Sequence, residues 1–258
     1  MLYRSFQRVV ALGHPLALIT FVLVTISGCT LLKAKEAPDS GFLPHPERLE
    51  EHRERFPFNK VWLKDYSEQY YERYTKILIA PVDTRHIHAH DWADELSLEG
   101  KQEFQRDIKH IANYMQEKFI QSLKEDENPR YVLANSSDHK TMILELALVE
   151  LIPTKAWLNV SGQVVSFFVP GASFVAGQAA TGSVAIEGRI RDGATNEIIA
   201  MFKDRESDQL APIGIQDYTW YKHAEDEIDD WAAQFVEVLD TKAHHKVADS
   251  SPLTFRIW

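Results

Sequence analysis

Three histidines occupy alternate positions in one short polar stretch, His86, His88 and His90, and Asp91 follows them. In an extended chain, alternate side chains share one face and lie about 7 Å apart. Imidazole nitrogens and a neighbouring carboxylate are ligands that zinc and copper accept. The stretch therefore allows two interpretations, a zinc or copper site at these four residues or a solvated loop that follows a strand. We predict the loop, without a metal or another cofactor.

A catalytic role would need more than these histidines. The stretch resembles the His-x-His-x-Asp-His box of metallo-β-lactamase-like hydrolases, but its last two residues are transposed, and that aspartate would supply the second metal. His110, His139 and His223 lie in no recognisable partner motif. The run from Gly171 lacks the second glycine of a nucleophile elbow, and the run from Gly177 lacks the lysine of a phosphate-binding loop. We therefore predict that the protein is not an enzyme.

The single cysteine of the 258-residue chain, Cys29, ends the tetrapeptide Ile26-Ser27-Gly28-Cys29. Two arginines, Arg4 and Arg8, precede an uncharged segment that runs from residue 9 to residue 30. This order is typical of a secretory signal. The tetrapeptide resembles the lipobox of bacterial lipoprotein precursors, which implies cleavage between Gly28 and Cys29 and lipidation of Cys29. An ordinary signal or an uncleaved anchor is the alternative.

Charge and composition limit the partners of the protein. The chain carries 28 basic and 38 acidic residues, a formal charge of −10, and removal of the two arginines in residues 1–28 makes it −12. Such a surface repels phosphate backbones, so we predict no nucleic-acid partner. The hydrophobic fraction of 45% supports a folded core. With one cysteine, that core has no intramolecular disulfide.

Hydrophobic periodicity predicts the elements that must position these residues. A buried strand covers 76–82, and a long helix from Ser97 to about Lys124 places its apolar residues on one stripe. Further strands are predicted at 130–134, 141–152, 183–191 and 197–204, followed by a helix at 224–243 whose acidic first turn suits the helix dipole. The strand order and the two helices favour an α+β fold, a single mostly antiparallel sheet with two long helices packed on one face.

Alternation is clearest in the predicted hairpin around Asp192-Gly193. Val184, Ile186 and Ile190 are predicted to point inward, and Glu187, Arg189 and Arg191 outward. The domain organisation is then a signal peptide at 1–28, a tether at 29–55, one domain at 56–243 and a tail at 244–258. Within the tether, Gly41-Phe42-Leu43 is an apolar island that can dock on the domain.

One internal stretch, Ala156 to Ile186, contains no charged residue. We interpret it as a buried strand, a turn and a small-residue loop, or as an apolar patch that faces another protein. A membrane-touching or oligomer-forming hairpin is the alternative, because spanning strands need only about 9–11 residues each.

The order of parts suggests a family. A lipobox, Ser40-Gly41-Phe42-Leu43, a strand Ile77 to Val82, one long helix and a hairpin with Asp192-Gly193-x-Thr195-x-Glu197 resemble the proteobacterial lipoproteins grouped under domain of unknown function 3313. That resemblance implies an envelope lipoprotein without an established activity. The hairpin is also similar to small α+β modules of curli-secretion and penicillin-binding-protein-activator lipoproteins, which is an analogy of fold alone.

These observations lead to one function and two alternatives. We expect an envelope lipoprotein, anchored by Cys29, whose domain binds another envelope protein or a second copy. Thr30 after the cysteine favours the outer membrane, with the domain facing the periplasm. The alternatives are a metal-binding periplasmic protein built on the histidine cluster and a subunit of an oligomeric secretion or pore collar.

Overall fold

Six strands form one mixed sheet in the order β1-β6-β5-β4-β2-β3. The strands are β1 (Lys60–Leu63), β2 (Lys76–Ile79), β3 (Val132–Leu133), β4 (Thr141–Ile152), β5 (Ser183–Asp192) and β6 (Ile198–Ser207). The long helices are α1 (Leu98–Glu125) and α2 (Trp220–Asp240), and single helical turns lie at Pro46–Arg48, Glu68–Tyr71 and Asp91–Asp94.

The computed structural model describes residues 34–65, 67–94, 96–153, 182–207, 220–241, 246, 247 and 249. The predicted signal peptide, Cys29, most of the uncharged stretch from Ala156 and most of the predicted tail lie outside these residues. The described residues all belong to one compact unit. No helix within them has the length and apolar character needed to cross a membrane.

The predicted fold class, a mostly antiparallel sheet with two long helices on one face, is wrong. β2 pairs in parallel with both β3 and β4, and only the β1–β6, β6–β5 and β5–β4 pairs are antiparallel. The physical reason is the long connection between β2 and β3. Parallel neighbours need a long crossover, and α1 with its flanking loops carries the chain from the end of β2 back to the start of β3.

The predicted helix from Ser97 is confirmed. The Ser97 hydroxyl accepts a hydrogen bond from the Gly100 amide at 3.1 Å, which satisfies one of the free donors at the start of α1. Its buried apolar stripe consists of Phe104, Ile108, Ile111, Met115, Phe119 and Leu123. Helix α2 packs beside α1, and the Tyr114 hydroxyl donates to Asp229 at 2.7 Å across the contact.

Two hydrophobic clusters lie against the sheet. The larger cluster joins α1 and α2 to strand residues such as Leu146, Leu148 and Ile186. The smaller cluster joins Ala147, Val149, Ala185 and Met201 to four residues from the start of the described chain, Ala37, Phe42, Leu43 and Leu49. Because successive residues of a strand point to opposite faces, the two clusters occupy the two faces of the sheet. Residues 34–49, called here the N-terminal segment, therefore cover the face opposite the larger cluster.

Some of the residues that the sequence assigns to a tether and a tail contact the rest of the folded chain. Phe42 and Leu43 are 5% and 4% exposed, and Glu50 forms an antiparallel bridge with Val61 of β1. Val247 is buried, and its amide donates to the Arg55 carbonyl at 3.1 Å.

Candidate functional site

A group of charged side chains lies between the sheet and the N-terminal segment. Strand register places Glu145 of β4 opposite Arg189 of β5, and Glu187 of β5 opposite Lys203 of β6. A register shift between Leu148 and Glu150 brings Glu150 opposite Ala185, on the same face. The charged cluster is defined as Glu145, Glu150, Glu187, Arg189, Arg191, Lys203 and Arg205.

Lys203 is the most enclosed cation of the charged cluster. Its ammonium group donates to Asp39 at 2.9 Å and to the Ala37 carbonyl at 3.2 Å, and lies 3.2 Å from Glu36. Burial acts to lower the pKa of Lys203, but the hydrogen bond to Asp39 and the charge of Glu36 outweigh burial and raise it. All three contacts are with the N-terminal segment, so Lys203 holds that segment on the sheet.

Glu187 binds Ser40 through both carboxylate oxygens. It is 2% exposed and accepts hydrogen bonds from the Ser40 amide at 3.1 Å and from the Ser40 hydroxyl at 2.6 Å. Gly41 follows with φ of +84°, a left-handed conformation that glycine adopts without strain. The turn at Gly41 brings Phe42 over the sheet, where the Arg189 guanidinium lies 4.2 Å from its ring centre and donates to its carbonyl at 2.7 Å.

Glu145 joins two arginines of the neighbouring strand. Its carboxylate accepts from Arg189 at 2.5 Å and from Arg191 at 2.9 Å. Burial acts to raise the pKa of Glu145, but the hydrogen bonds from Arg191 and Arg189 outweigh it, so the pKa is lowered. The carboxylate is therefore ionised at neutral pH and orients Arg189 toward Phe42.

Arg205 fixes the first residues of the N-terminal segment. Its guanidinium donates to Glu150 at 2.6 Å, to the Ser183 hydroxyl at 3.3 Å and to the Lys35 carbonyl at 3.2 Å. These contacts tie the chain near residue 35 to the end of β4 and the start of β5.

The predicted histidine cluster lies beside the same segment. The chain after β2 continues along β4, because Asp83 bridges Ala147 in parallel and the His88 amide donates to the Val149 carbonyl at 2.9 Å. The His88 ring contacts the Pro38 carbonyl at 2.9 Å, and the His86 ring lies 3.4 Å from the Ser40 carbonyl. The His86 ring also meets the Phe42 ring edge-on, with 5.6 Å between ring centres.

The rings of His86 and His88 therefore have backbone carbonyls as partners. A carbonyl oxygen only accepts hydrogen bonds, so in each contact the imidazole nitrogen is the donor. His90 is half-buried, and the side chain of Asp91 lies outside the described residues. Across the part of the chain that the structure describes, no group of three or more His, Cys, Asp or Glu side chains is arranged to hold a metal ion.

Other predicted positions fall in two groups. The described residues do not include Gly28 or Cys29. They also leave out the glycine-containing runs from Gly171 and Gly177 as far as Thr181. The predicted acidic first turn of α2 is wrong, because the helix begins at Trp220 and its first turn has no acidic residue. The acidic residues farther along α2 contact α1, since Glu225 lies 3.3 Å from His110 and Asp229 lies 3.1 Å from Lys118. Those carboxylates join two helices.

No sequence pattern identified the charged cluster as a surface that holds the N-terminal segment. Alternation along β5 predicted that Glu187 and Arg189 point outward, and both lie on the face opposite the larger cluster, but the N-terminal segment covers that face. One signal was available, namely that Glu145 interrupts an otherwise apolar strand and that an acidic and a basic residue alternate in Glu187-x-Arg189. Complementary charges at such positions suit cross-strand pairing.

The charged cluster holds a segment of the same chain. It presents carboxylates, guanidinium groups and an ammonium group to backbone carbonyls, an amide and a hydroxyl of residues 35–42. The planar guanidinium group of arginine donates several hydrogen bonds in a fixed geometry, which suits carboxylate and carbonyl oxygens.

Solved structures are similar to part of this chain, and one family model matches most of it. Two solved structures of PelC dodecamers from Paraburkholderia phytofirmans are similar to this chain, one with a TM-score of 0.31 and 10% identity, the other with 0.32 and 9%. They cover 64% and 63% of this chain, and 88% of each PelC chain is matched. No curated protein matches the sequence. The model of the family described as protein of unknown function DUF3313 matches residues 38–235, from within the N-terminal segment into α2. The resemblance to domain of unknown function 3313 is thereby confirmed, and the chain belongs to the DUF3313 family.

Proposed function

We propose that the chain is a lipid-anchored lipoprotein of the bacterial cell envelope, held in the outer membrane by Cys29 with its domain in the periplasm. The tetrapeptide Ile26-Ser27-Gly28-Cys29, at the end of an uncharged segment, carries this proposal. Lipoprotein processing adds more than one acyl chain, which is what stable membrane attachment needs. Thr30 after the cysteine supports the outer membrane as the destination.

The folded domain acts in this proposal as a binding or scaffold module rather than as an enzyme. The predicted anchor supports a binding role, because it would hold the domain beside other envelope components. The charged cluster is occupied within the chain, since its arginines and its lysine contact residues 35–42. The partner in the envelope is another protein or a second copy of the chain.

The anchor is tested by expressing the full chain in a Gram-negative bacterium, with Cys29→Ala as the variant and Ser27→Ala as its matched control. Ser27→Ala keeps a small residue before Gly28, so this protein and the wild type should float with membranes and yield an acylated peptide that begins at residue 29. Cys29→Ala should remain an unprocessed precursor without acyl groups. An acylated or membrane-processed Cys29→Ala protein would refute the proposal.

The scaffold role is tested by chemical crosslinking in intact cells that produce the wild-type chain. We expect a discrete crosslinked species that contains this chain and either an envelope protein or a second copy, identified by mass spectrometry. The species should weaken in Cys29→Ala cells, since that protein lacks the outer-membrane location. Monomer alone after crosslinking would contradict the scaffold role.

A further inference from the structure

We propose that the edge of the sheet around Arg205 is the membrane-proximal edge of the domain and faces the lipid bilayer. This inference rests on the proposed lipidation of Cys29. It adds which surface of the domain meets the membrane and what holds that surface there.

The first step is the attachment of the N-terminal segment. Ala34 is buried, and the carbonyl of Lys35 accepts a hydrogen bond from Arg205 at 3.2 Å. The same guanidinium contacts Glu150 and Ser183, so it is held by the ends of two strands. Glu36 and Asp39 continue the attachment through Lys203. The chain is therefore part of the folded domain from Ala34 onward.

The second step is the length of chain that remains between lipid and domain. Only five residue steps separate Cys29 from Ala34. Fully extended, they span at most about 18 Å. If residues 29–55 acted as a free tether, the reach would be several times longer. Attachment of the N-terminal segment therefore keeps the Arg205 edge close to the headgroups.

The third step is the position of this edge in the sheet. Register places Ser183 opposite both Ile152 and Ser207, so the end of β4, the start of β5 and the end of β6 lie together. Asp192 ends β5 at the opposite end of the sheet, next to the turn that leads into β6. Nine residue steps along β5 separate the two ends by about 30 Å. The turn at 193–197 therefore lies farther from the bilayer than the Arg205 edge.

The charges at the Arg205 edge are mixed. Lys35 is exposed there, and an ammonium group close to anionic lipid headgroups is attracted to them. Arg205 and Glu150 neutralise each other at 2.6 Å, whereas Glu206, next to Ser207, adds a carboxylate at the same edge. The short connection to the lipid, rather than charge, therefore carries the orientation.

The experiment places one fluorophore at either end of the sheet in the full lipidated protein. Because acylation occupies Cys29, an introduced cysteine is the free thiol available for labelling. Ser207→Cys reports on the Arg205 edge, and Ala194→Cys, at an exposed turn position, reports on the opposite end. Both proteins are reconstituted in phosphatidylcholine vesicles with some phosphatidylglycerol and a headgroup-labelled nitroxide lipid as quencher.

We expect several-fold stronger quenching at Ser207→Cys than at Ala194→Cys. Equal quenching, or stronger quenching at Ala194→Cys, would overturn the proposed orientation. Vesicle flotation is measured on the same samples. Protein that floats without a difference between the sites defeats the orientation alone, whereas protein that does not float defeats both the orientation and the lipid anchor.

A longer connection provides the matched control. Insertion of about a dozen glycine and serine residues between Lys33 and Ala34 adds a flexible linker outside the folded domain. Quenching at Ser207→Cys should then fall toward the value at Ala194→Cys, while flotation is retained. Unchanged quenching after the insertion would show that the short connection does not position the edge, and would overturn the inference.

Discussion

The two faces of the sheet are covered by different physical means. On one face, α1 and α2 contribute long apolar stripes, and residues such as Ile111, Phe119 and Trp231 are almost completely buried. On the other face, the N-terminal segment contributes a few apolar residues, and the charged cluster binds its backbone and polar side chains. Buried apolar area therefore holds α1 and α2 on their face, whereas specific hydrogen bonds and ion pairs hold the N-terminal segment on the other.

This difference has consequences for stability. Apolar burial contributes roughly 25 cal/mol per Å² without regard to direction, so the helix-covered face supplies the larger share of folding stability. Buried ion pairs return little net free energy after desolvation, but they require particular partners in particular places. We therefore expect the N-terminal segment to open locally at a lower free energy than the helix-covered core.

The prediction with the largest expected effect replaces one phenylalanine on each face by alanine. Phe119, 1% exposed and 5.6 Å from the Phe235 ring, lies in the helix-covered core. Phe119→Ala should lower the free energy of unfolding by about 3–5 kcal/mol. Phe42→Ala should lower it by no more than about 1–2 kcal/mol, because the N-terminal segment can detach while the core stays folded. Urea unfolding of the chain produced from residue 29 onward, with Cys29→Ser, measures both.

A second measurement separates local from global effects in these variants. Amide hydrogen exchange in residues 34–49 should accelerate in Phe42→Ala, whereas α1 and α2 keep their protection. Equal losses of global stability in the two variants would show that the faces do not differ in this way.

Hydrophobic pattern was sufficient for the elements of the helix-covered side. The stripe of α1 and the alternation of β5 follow directly from the sequence, and the turn at Asp192-Gly193 has a local cause. The Asp192 carboxylate accepts from the amides of Ala194 at 2.9 Å and Thr195 at 2.8 Å. Burial acts to raise the pKa of Asp192, but these donors and Tyr74 lower it to about 2.

The hydrophobic pattern could not predict how the strands pair or which segment covers the second face of the sheet. Whether β2 joins β4 in parallel depends on where α1 returns the chain, which no local periodicity records. The N-terminal segment has a polar composition typical of a tether, yet Phe42, Leu43 and Leu49 are buried, and the charged cluster supplies partners for Asp39 and Ser40, the polar residues that precede them. Alternation placed His86 and His88 on one side of the chain, but it did not distinguish a carbonyl partner from a metal.

The two faces should also respond differently to pH. Asp107 of α1 is buried, and burial together with the nearby charge of Glu103 raises its pKa from 3.8 to about 6. A raised pKa in the folded state gives stability that is fully present below the ordinary value of 3.8 and is lost progressively as pH rises to about 6. Asp107→Asn should therefore stabilise the domain by about 1–3 kcal/mol at pH 8 and change little at about pH 3.

The pH dependence of stability has the opposite sign on the segment-covered face. The pKa values of Glu145 and Glu36 are lowered, because hydrogen bonds from Arg191 and Arg189, and from Lys60 and Lys203, outweigh the effect of burial. Their contribution is present above the ordinary carboxyl range and is lost as pH falls through the lowered values. Urea midpoints for the core and hydrogen exchange for residues 34–49, measured from pH 8 to pH 3, should diverge. A parallel decline of both in acid would contradict the assignment.

The prediction with the smallest expected effect compares two lysines that contact the same carboxylate. Lys203 and Lys60 both contact Glu36, at 3.2 Å and 3.0 Å, but the Lys203 side chain is 8% exposed and the Lys60 side chain 30%. Lys203 also binds Asp39 and the Ala37 carbonyl, so Lys203→Met removes three contacts with the N-terminal segment. Opening of the segment should become easier by about 1–2 kcal/mol, and by less than about 1 kcal/mol in Lys60→Met, because a solvated ion pair contributes little. Hydrogen exchange in residues 34–49 reports the difference directly, and added salt should reduce the protection of the wild-type segment without altering that of α1. If Lys60→Met opened the segment as readily as Lys203→Met, simple charge balance at Glu36 would hold it, and the enclosed lysine would have no special role.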